Sequence, residues 1–425
     1  MAKSFFKTVF AFIIIFCAPF FAPAQSGSER NFEVELLNFS IGMESPFIST
    51  SDLIKQTYDF ITDGSLFTFN NFGLDEMFSA NTQLFLQPVK ITVRSKTKTK
   101  YEFWTNIDSK VYVKISEGAI NAAQEILKNK DDPSNIDINA MNGSVGLAGY
   151  FFVEAGFAVS KTLVDKKFWA RVAPQVFIPL FYIKQHEINL SGYTSGAGNG
   201  FMGIKGSGEI ALYSPLDLQA PDYSALTRTA GIDITLNMLW NLLPWLDAGA
   251  DILHIPFVPA NLLRRYSAAL DIDICVPDPA YQWTQQQLAD MDMNKISTKY
   301  NLNFSIAEPV NYYCMRPLRF DFFALYKPLR ENLLIIRPGL GFSVNTVVGM
   351  WLPDYSFSVQ LNLPVVVSLE TGTELFESVF RHYFSAVFNF KVFELSGAFF
   401  LQGQEFISSW NGSGSGARIA LRIGY

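Results

Sequence analysis

The sequence predicts an all-β chain, a transmembrane antiparallel β-barrel of about 14 strands with a small helical N-terminal insert or plug. Three observations predict it. The last nine residues alternate strictly: Ala417, Ile419, Leu421, Ile423 and Tyr425 fall on one side, and Arg418, Ala420, Arg422 and Gly424 on the other. That is the period of two that a pleated strand imposes. The first residues run in the order of an export signal. The apolar residues, 49% of the chain with 15% aromatic, are spread through alternating segments and not gathered in long runs, which is how a membrane barrel carries its hydrophobicity.

At the start, Lys3 and Lys7 precede an apolar run from Val9 to Phe21, and Ala22-Pro23-Ala24 offers a small-x-small cleavage site. Residues 1–24 therefore read as a signal peptide and residues 25–425 as the exported barrel. Cys17 lies behind Phe16, a poor lipoprotein box, so no lipid anchor is expected. Losing Lys3 and Lys7 takes the formal charge from −6 to −8, which argues against nucleic acid as a partner.

In chain order, the first strand expected is Asn31 to Gly42, with Phe32, Val34 and Leu36 toward lipid and Glu33 and Glu35 inward. Helical spacing follows at Ser51–Ile61 and again from Ser116 to about Lys128, where Asp131-Asp132-Pro133 ends it. Strand-like runs at Leu84–Arg94, Tyr101–Ile107 and Val111–Ile115 lie between, so residues 25–140 read as irregular. From Val145 the pattern is regular, with Val145, Leu147, Phe151, Val153, Ala155, Phe157 and Val159 all odd. Further strands are expected at Phe168–Ile183, Phe201–Tyr213, Ser224–Leu239, Trp245–Ile255 and Tyr266–Cys275. After the long segment 276–313 come Leu318–Tyr326, Leu333–Val344, Ser356–Ser368, Phe380–Asn389, Val392–Gln402 and the terminal strand. Long loops belong outside and the chain end in the periplasm. These boundaries put loops 185–200 and 276–313 on the side of Tyr425, so one strand between Cys314 and Tyr425 is miscounted.

No motif makes an enzyme. Gly198-Asn199-Gly200-Phe201-Met202-Gly203 has dinucleotide-turn glycines but follows a polar loop and opens a strand, the wrong context. His186-Glu187 lacks a second histidine, and His186, His254 and His382 lie on separate elements. No cofactor and no metal is expected.

Asp233, Asp247, Asp251, Asp271 and Asp273 share the polar faces of neighbouring strands. A carboxylate facing lipid costs on the order of 2–4 kcal/mol near the midplane, so all are expected to line the lumen. They read as a solvated channel wall, a cation-selective constriction or a catalytic acid pair. The last wants a histidine on the same wall, and His254 has lipid-side parity. Cys275 and Cys314 flank the longest loop and could clasp its base as a disulfide or stay as two buried thiols. At the closure seam, Asn31–Gly42 against Ala417–Tyr425 would set Glu33 and Glu35 against Arg418 and Arg422. The alternative makes residues 25–60 a plug and starts the sheet near Leu84.

The terminal strand with its final aromatic residue resembles the C-terminal signal strand of bacterial outer-membrane barrels. With the length and the irregular, partly helical N-terminal region, most of the chain resembles the long-chain fatty-acid transporter (FadL-type) barrels. That family tends to begin its mature chain with Asn-Pro-Ala, whereas Gln25-Ser26-Gly27-Ser28 stands here. The aromatic-rich, lysine-containing style also resembles the outer-membrane barrels of spirochaetes. These resemblances imply outer-membrane lipid as surroundings and insertion by the barrel-assembly machinery through Ala417–Tyr425. An outer-membrane channel or transporter for small molecules, hydrophobic ones among them, is the first expectation. A surface adhesin using segment 276–313 or a general diffusion porin comes next, and a membrane-embedded hydrolase last.

Overall fold

The structure is a computed structural model. It describes residues 31–44, 78–96, 99–116, 118–119, 142–163, 167–194, 201–219, 221–277, 297–304, 307–329, 332–347, 349–363, 367–376, 379–390, 392–403, 406–411 and 414–424. The signal-peptide residues, the Ser51–Ile61 helix, nearly all of the 116–128 helix and Tyr425 lie outside these.

Among the described residues eighteen strand segments form one antiparallel sheet. The first three are β1 (Phe32–Glu44), β2 (Phe78–Arg94) and β3 (Lys100–Ile115), so the region expected to be irregular holds three strands. Then follow β4 (Asn142–Leu163), β5 (Phe168–Thr194) and β6 (Phe201–Ser214). Next are β7 (Gly231–Leu243), β8 (Leu246–Val258) and β9 (Ala260–Pro277). β10 (Ser297–Phe304), β11 (Glu308–Cys314) and β12 (Leu318–Tyr326) come after them. The last six are β13 (Leu334–Asn345), β14 (Met350–Asn362), β15 (Val367–Phe376), β16 (Val379–Asn389), β17 (Phe393–Gly403) and β18 (Gly414–Gly424).

The sheet closes on itself. The circuit β1, β2, β3, β4, β5, β7, β8, β12, β13, β14, β15, β16, β17, β18 returns to β1 with every step hydrogen-bonded. Closure leaves no free edge among these strands, the condition for a sheet in hydrocarbon. The other four segments extend the wall away from Gly424: β6 and β9 pair beside the far half of β5, and β10 and β11 lie in turn along β9. The expected figure of about 14 thus falls short of the eighteen segments, because single strand lines are interrupted. Pro259 is all that separates β8 from β9, and Met315-Arg316-Pro317 separates β11 from β12. Proline cannot donate to the ladder, so breaks fall naturally there.

Between β6 and β7 the chain leaves the sheet. Tyr223–Thr229 is helical, with Asp222 accepting from Ser224 N at 3.0 Å, so the strand expected at Ser224 begins only at Gly231. The parity conflict also resolves. Ser356–Ser368 fused the end of β14 with the start of β15, and Val367–Phe376 is the missing strand. With it, 195–200 and 278–296 connect strands at the end opposite Gly424, as do the brief 346–349 and 377–378, and every connection beside Gly424 is short, the longest being 327–333.

The faces separate cleanly. On β4 the even residues Ala148, Tyr150, Phe152, Glu154, Ala158 and Ser160 are buried, and the odd ones face outward. Val172, Val176 and Phe181 on β5 and Tyr101, Phe103 and Val111 on β3 are exposed apolar side chains, while Ala173, Gln175 and Phe177 are buried. An apolar exterior over a closed sheet suits hydrocarbon, not water. At the C-terminus Ile419 and Ile423 lie outward as expected. In β1 a bulge at Leu36 shifts the register between Glu35 and Leu37, so the outward row passes to Leu37 and Ile41.

Candidate functional site: the barrel interior

Three of the five predicted aspartates stand inside the barrel, and each already has a cation. Asp247 accepts from Lys327 Nζ at 2.5 Å and from Asn241 at 2.8 Å. Asp251 accepts from Asn237 at 2.7 Å and lies 3.9 Å from Arg337. Asp233 takes a two-pronged bond from Arg316, with Nε at 2.6 Å and Nη2 at 2.7 Å. Asp271 and Asp273 lie far along β9, opposite Ser207 and Lys205 on one side and Asn301 and Lys299 on the other. The five carboxylates therefore do not form one continuous stripe. Strand parity assigns a face, but not a height along the axis or a partner.

Arg316 is the centre that the sequence did not disclose. It sits in the break between β11 and β12 with 3% of its surface exposed. Besides Asp233, its Nη2 donates to Gln175 and its Nη1 pairs with Glu154, so it joins β4, β5 and β7. The ring of donors is matched to two carboxylates and an amide, the planar fork that arginine offers and lysine does not. Glu154 also accepts from Asn106 and, at 3.3 Å, from Trp104 Nε1, and Asn106 accepts from Gln87 at 2.8 Å. Its tripeptide Met315-Arg316-Pro317 carries no local mark of these distant partners.

A second network lies closer to the Gly424 end. Glu102, 3% exposed, is shared by Lys90 and Lys100 at 3.0 Å each and Arg171 at 2.6 Å. The Arg171 guanidinium rests over the Trp104 ring at 5.1 Å. Trp104 in turn lies over Gly156, where any Cβ would come within 2.2 Å of its ring.

Beyond Arg316, away from Gly424, the interior turns apolar and aromatic. Ala148, Tyr150, Phe152, Phe177, Tyr182, Ala260, Leu262, Cys314 and Val347 form one buried cluster, with Tyr112, Tyr213 and Tyr312 against it. Phe152 is edge-on to Phe177 at 5.7 Å, and Tyr213 stacks on Tyr312 at 4.1 Å. The turn after β13 closes over this cluster. Asn345 Nδ2 donates to Tyr112 Oη at 2.8 Å, Tyr182 Oη donates to Thr346 O at 3.2 Å, and Thr346 Oγ1 donates to Met315 O at 2.8 Å. β3 and β13 are far apart in the circuit, so the Asn345–Tyr112 bond runs across the interior. Toward the Gly424 end the lumen holds a cavity of about 360 Å³ lined in part by Trp169, Asp251, Phe323, Arg337 and Glu370.

The seam residues meet as a cluster. Glu35 faces Arg422 in register, and Arg422 lies 3.0 Å from Glu35, 3.1 Å from Glu394 and 4.0 Å from Glu33. Arg418 instead donates to Asn38 at 3.0 Å. β1 is paired on both sides at Phe32–Glu44, so the alternative of a sheet starting near Leu84 does not hold for these residues.

The proposed disulfide is absent: both cysteines are free, with Cys275 opposite Ser297 and Cys314 opposite Ala260 at the two ends of β9. The whole length of β9 parts them because residues after 276 return along the same strand. His254 is also displaced from its expected face. It has φ 59°, at a bulge where the register shifts between Ile234 and Leu236, and its Nδ1 comes 3.7 Å from Asp233. Bulges re-aim side chains in this way. His186 lies on β5, and His382 on β16 contacts Ser409 at 2.6 Å and stacks on Trp410 at 3.9 Å. Among the described residues no group of three His, Cys, Asp or Glu side chains could hold a metal ion.

A closed antiparallel sheet with an apolar exterior and an interior of ion pairs and aromatic rings defines a transmembrane β-barrel. No protein-family model matches the chain, and no curated protein matches it. Among solved structures it is similar to the P. putida toluene transporter TodX, at 7% identity over 94% of this chain and 91% of that one, with a TM-score of 0.45. It is also similar to the Ralstonia pickettii toluene transporter TbuX, at 8% identity over 95% and 91%, TM-score 0.43. A Pseudomonas aeruginosa FadL homologue, of the family that the sequence resembles, matches at 7% identity over 93% and 90%, TM-score 0.43.

Proposed function

We propose that the chain is an outer-membrane channel for small uncharged, apolar molecules, and not an enzyme. One observation carries the reading: the buried cluster around Phe152, Phe177, Tyr182 and Leu262 occupies the interior where a diffusion porin holds water and charge. Apolar and aromatic walls with few polar groups are what small-molecule sites are made of. The short connections beside Gly424 support a periplasmic setting for that end, and on this reading residues 1–24 are the removed signal and Ala417–Tyr425 the strand the assembly machinery reads. The paired state of Asp233, Asp247 and Asp251 favours this reading over a cation-selective wall. Uptake of N-phenylnaphthylamine into vesicles carrying the refolded barrel tests it. Faster entry than into vesicles carrying an unrelated closed barrel is expected, and equal rates would sink the reading.

A further inference from the structure

Three levels of the interior follow one another along the same strands. On β5, Trp169 borders the cavity, Gln175 meets Arg316, and Phe177 and Tyr182 belong to the aromatic cluster. β7 and β12 repeat the beginning of this order: Leu239 then Asp233 on β7, and Leu325 then Arg316 leading to Cys314 on the line of β12 and β11. Arg316 thus stands between the apolar cluster and the cavity. At its level Glu154, Gln175, Asp233, Thr235, Asn106 and Gln87 are all at most 7% exposed, so this arc of the wall is packed closely around the guanidinium.

We propose that Arg316 is the specificity-determining residue that bars ions from this passage, a proposal that rests on reading the interior as a conduit. An ion moving through must separate a guanidinium from Glu154 and Asp233 in a water-poor setting, where such pairs are strongest. The carboxylates alone would do the opposite. With Arg316 gone, Glu154 and Asp233 face the opened space as a pair of fixed negative charges, and rings of carboxylates draw cations. Arg316 therefore sets both the tightness of the passage and the sign of the ions it would admit.

The test is planar-bilayer conductance of the full refolded protein in a potassium chloride gradient. Arg316→Ala, shown to be folded by heat-modifiable gel migration, should raise unit conductance several-fold and move the reversal potential toward the cation value. Glu154→Gln/Asp233→Asn/Arg316→Ala leaves no unpaired buried charge, so it serves where the single variant does not fold. It should raise conductance with no cation preference. Wild-type conductance and selectivity in a folded Arg316→Ala, or wild-type conductance in the folded triple variant, overturns the proposal. Entry of the uncharged dye is a separate readout, so a wild-type barrel that excludes the dye would refute the conduit without changing the conductance result.

Discussion

Arg422→Ala at the seam isolates what the charges there contribute. The substitution takes one guanidinium from three carboxylates whose side chains are 6%, 19% and 20% exposed, at Glu35, Glu394 and Glu33. The pairs with Glu394 and Glu33 are partly solvated and contribute about 0.2–1 kcal/mol each. Glu35 is buried, and leaving it without its partner costs about 2 kcal/mol more. The sum is about 3 kcal/mol, read as a fall in the urea midpoint of the barrel folded into lipid vesicles and followed by tryptophan fluorescence. Arg422→Ala/Glu35→Gln removes the stranded charge and should recover about half of the loss, the non-additivity expected of residues in contact. A loss under about 0.5 kcal/mol for the single variant, or no recovery in the double, would show that backbone pairing alone holds β1 to β18.

Four further outcomes are expected. With Cys275 and Cys314 replaced, cysteines at Glu35 and Arg422 should crosslink, because the two positions are directly opposite in the ladder; absence of a bond under oxidation contradicts the register. In the unreduced, denatured wild type both thiols should react with maleimide, and in the folded protein Cys275 should react well ahead of the 3%-exposed Cys314. Gly156→Val should prevent folding or lower stability by about 2–4 kcal/mol in urea titration, since the new side chain must displace the Trp104 ring. Tyr112→Phe should cost about 1 kcal/mol and quicken amide exchange at 346–347, because it removes the acceptor for Asn345; unchanged exchange would deny that the bond holds the turn.

The alternation of β4, of β16 and of the terminal strand was legible because lipid on one side enforces a period of two. It failed where the backbone departs from that period. The bulge at Leu36 exchanged the faces within β1, and the left-handed residue His254 turned a side chain from lipid toward Asp233. Tyr150, Phe152 and Phe177 escaped notice for a different reason: both faces of those strands are apolar, so parity had no contrast to report. Arg316 escaped because its partners come from segments 83 to 162 residues distant, and pairing at that range leaves no local trace.

The bond between Asn345 and Tyr112 joins strands six steps apart one way around the circuit of fourteen and eight the other. A hollow ring resists crushing poorly, since it can flatten at almost no cost in wall length. A strut between nearly opposite points changes that mechanics and turns one wide loop into two narrow ones. On one side lie Arg316 and the aromatic cluster. On the other, Arg381 reaches Glu374 at 3.0 Å and Gln83 at 3.4 Å and lies over the Phe400 ring at 4.6 Å. A local change in one half is thereby kept from flattening the ring at the level of the bond.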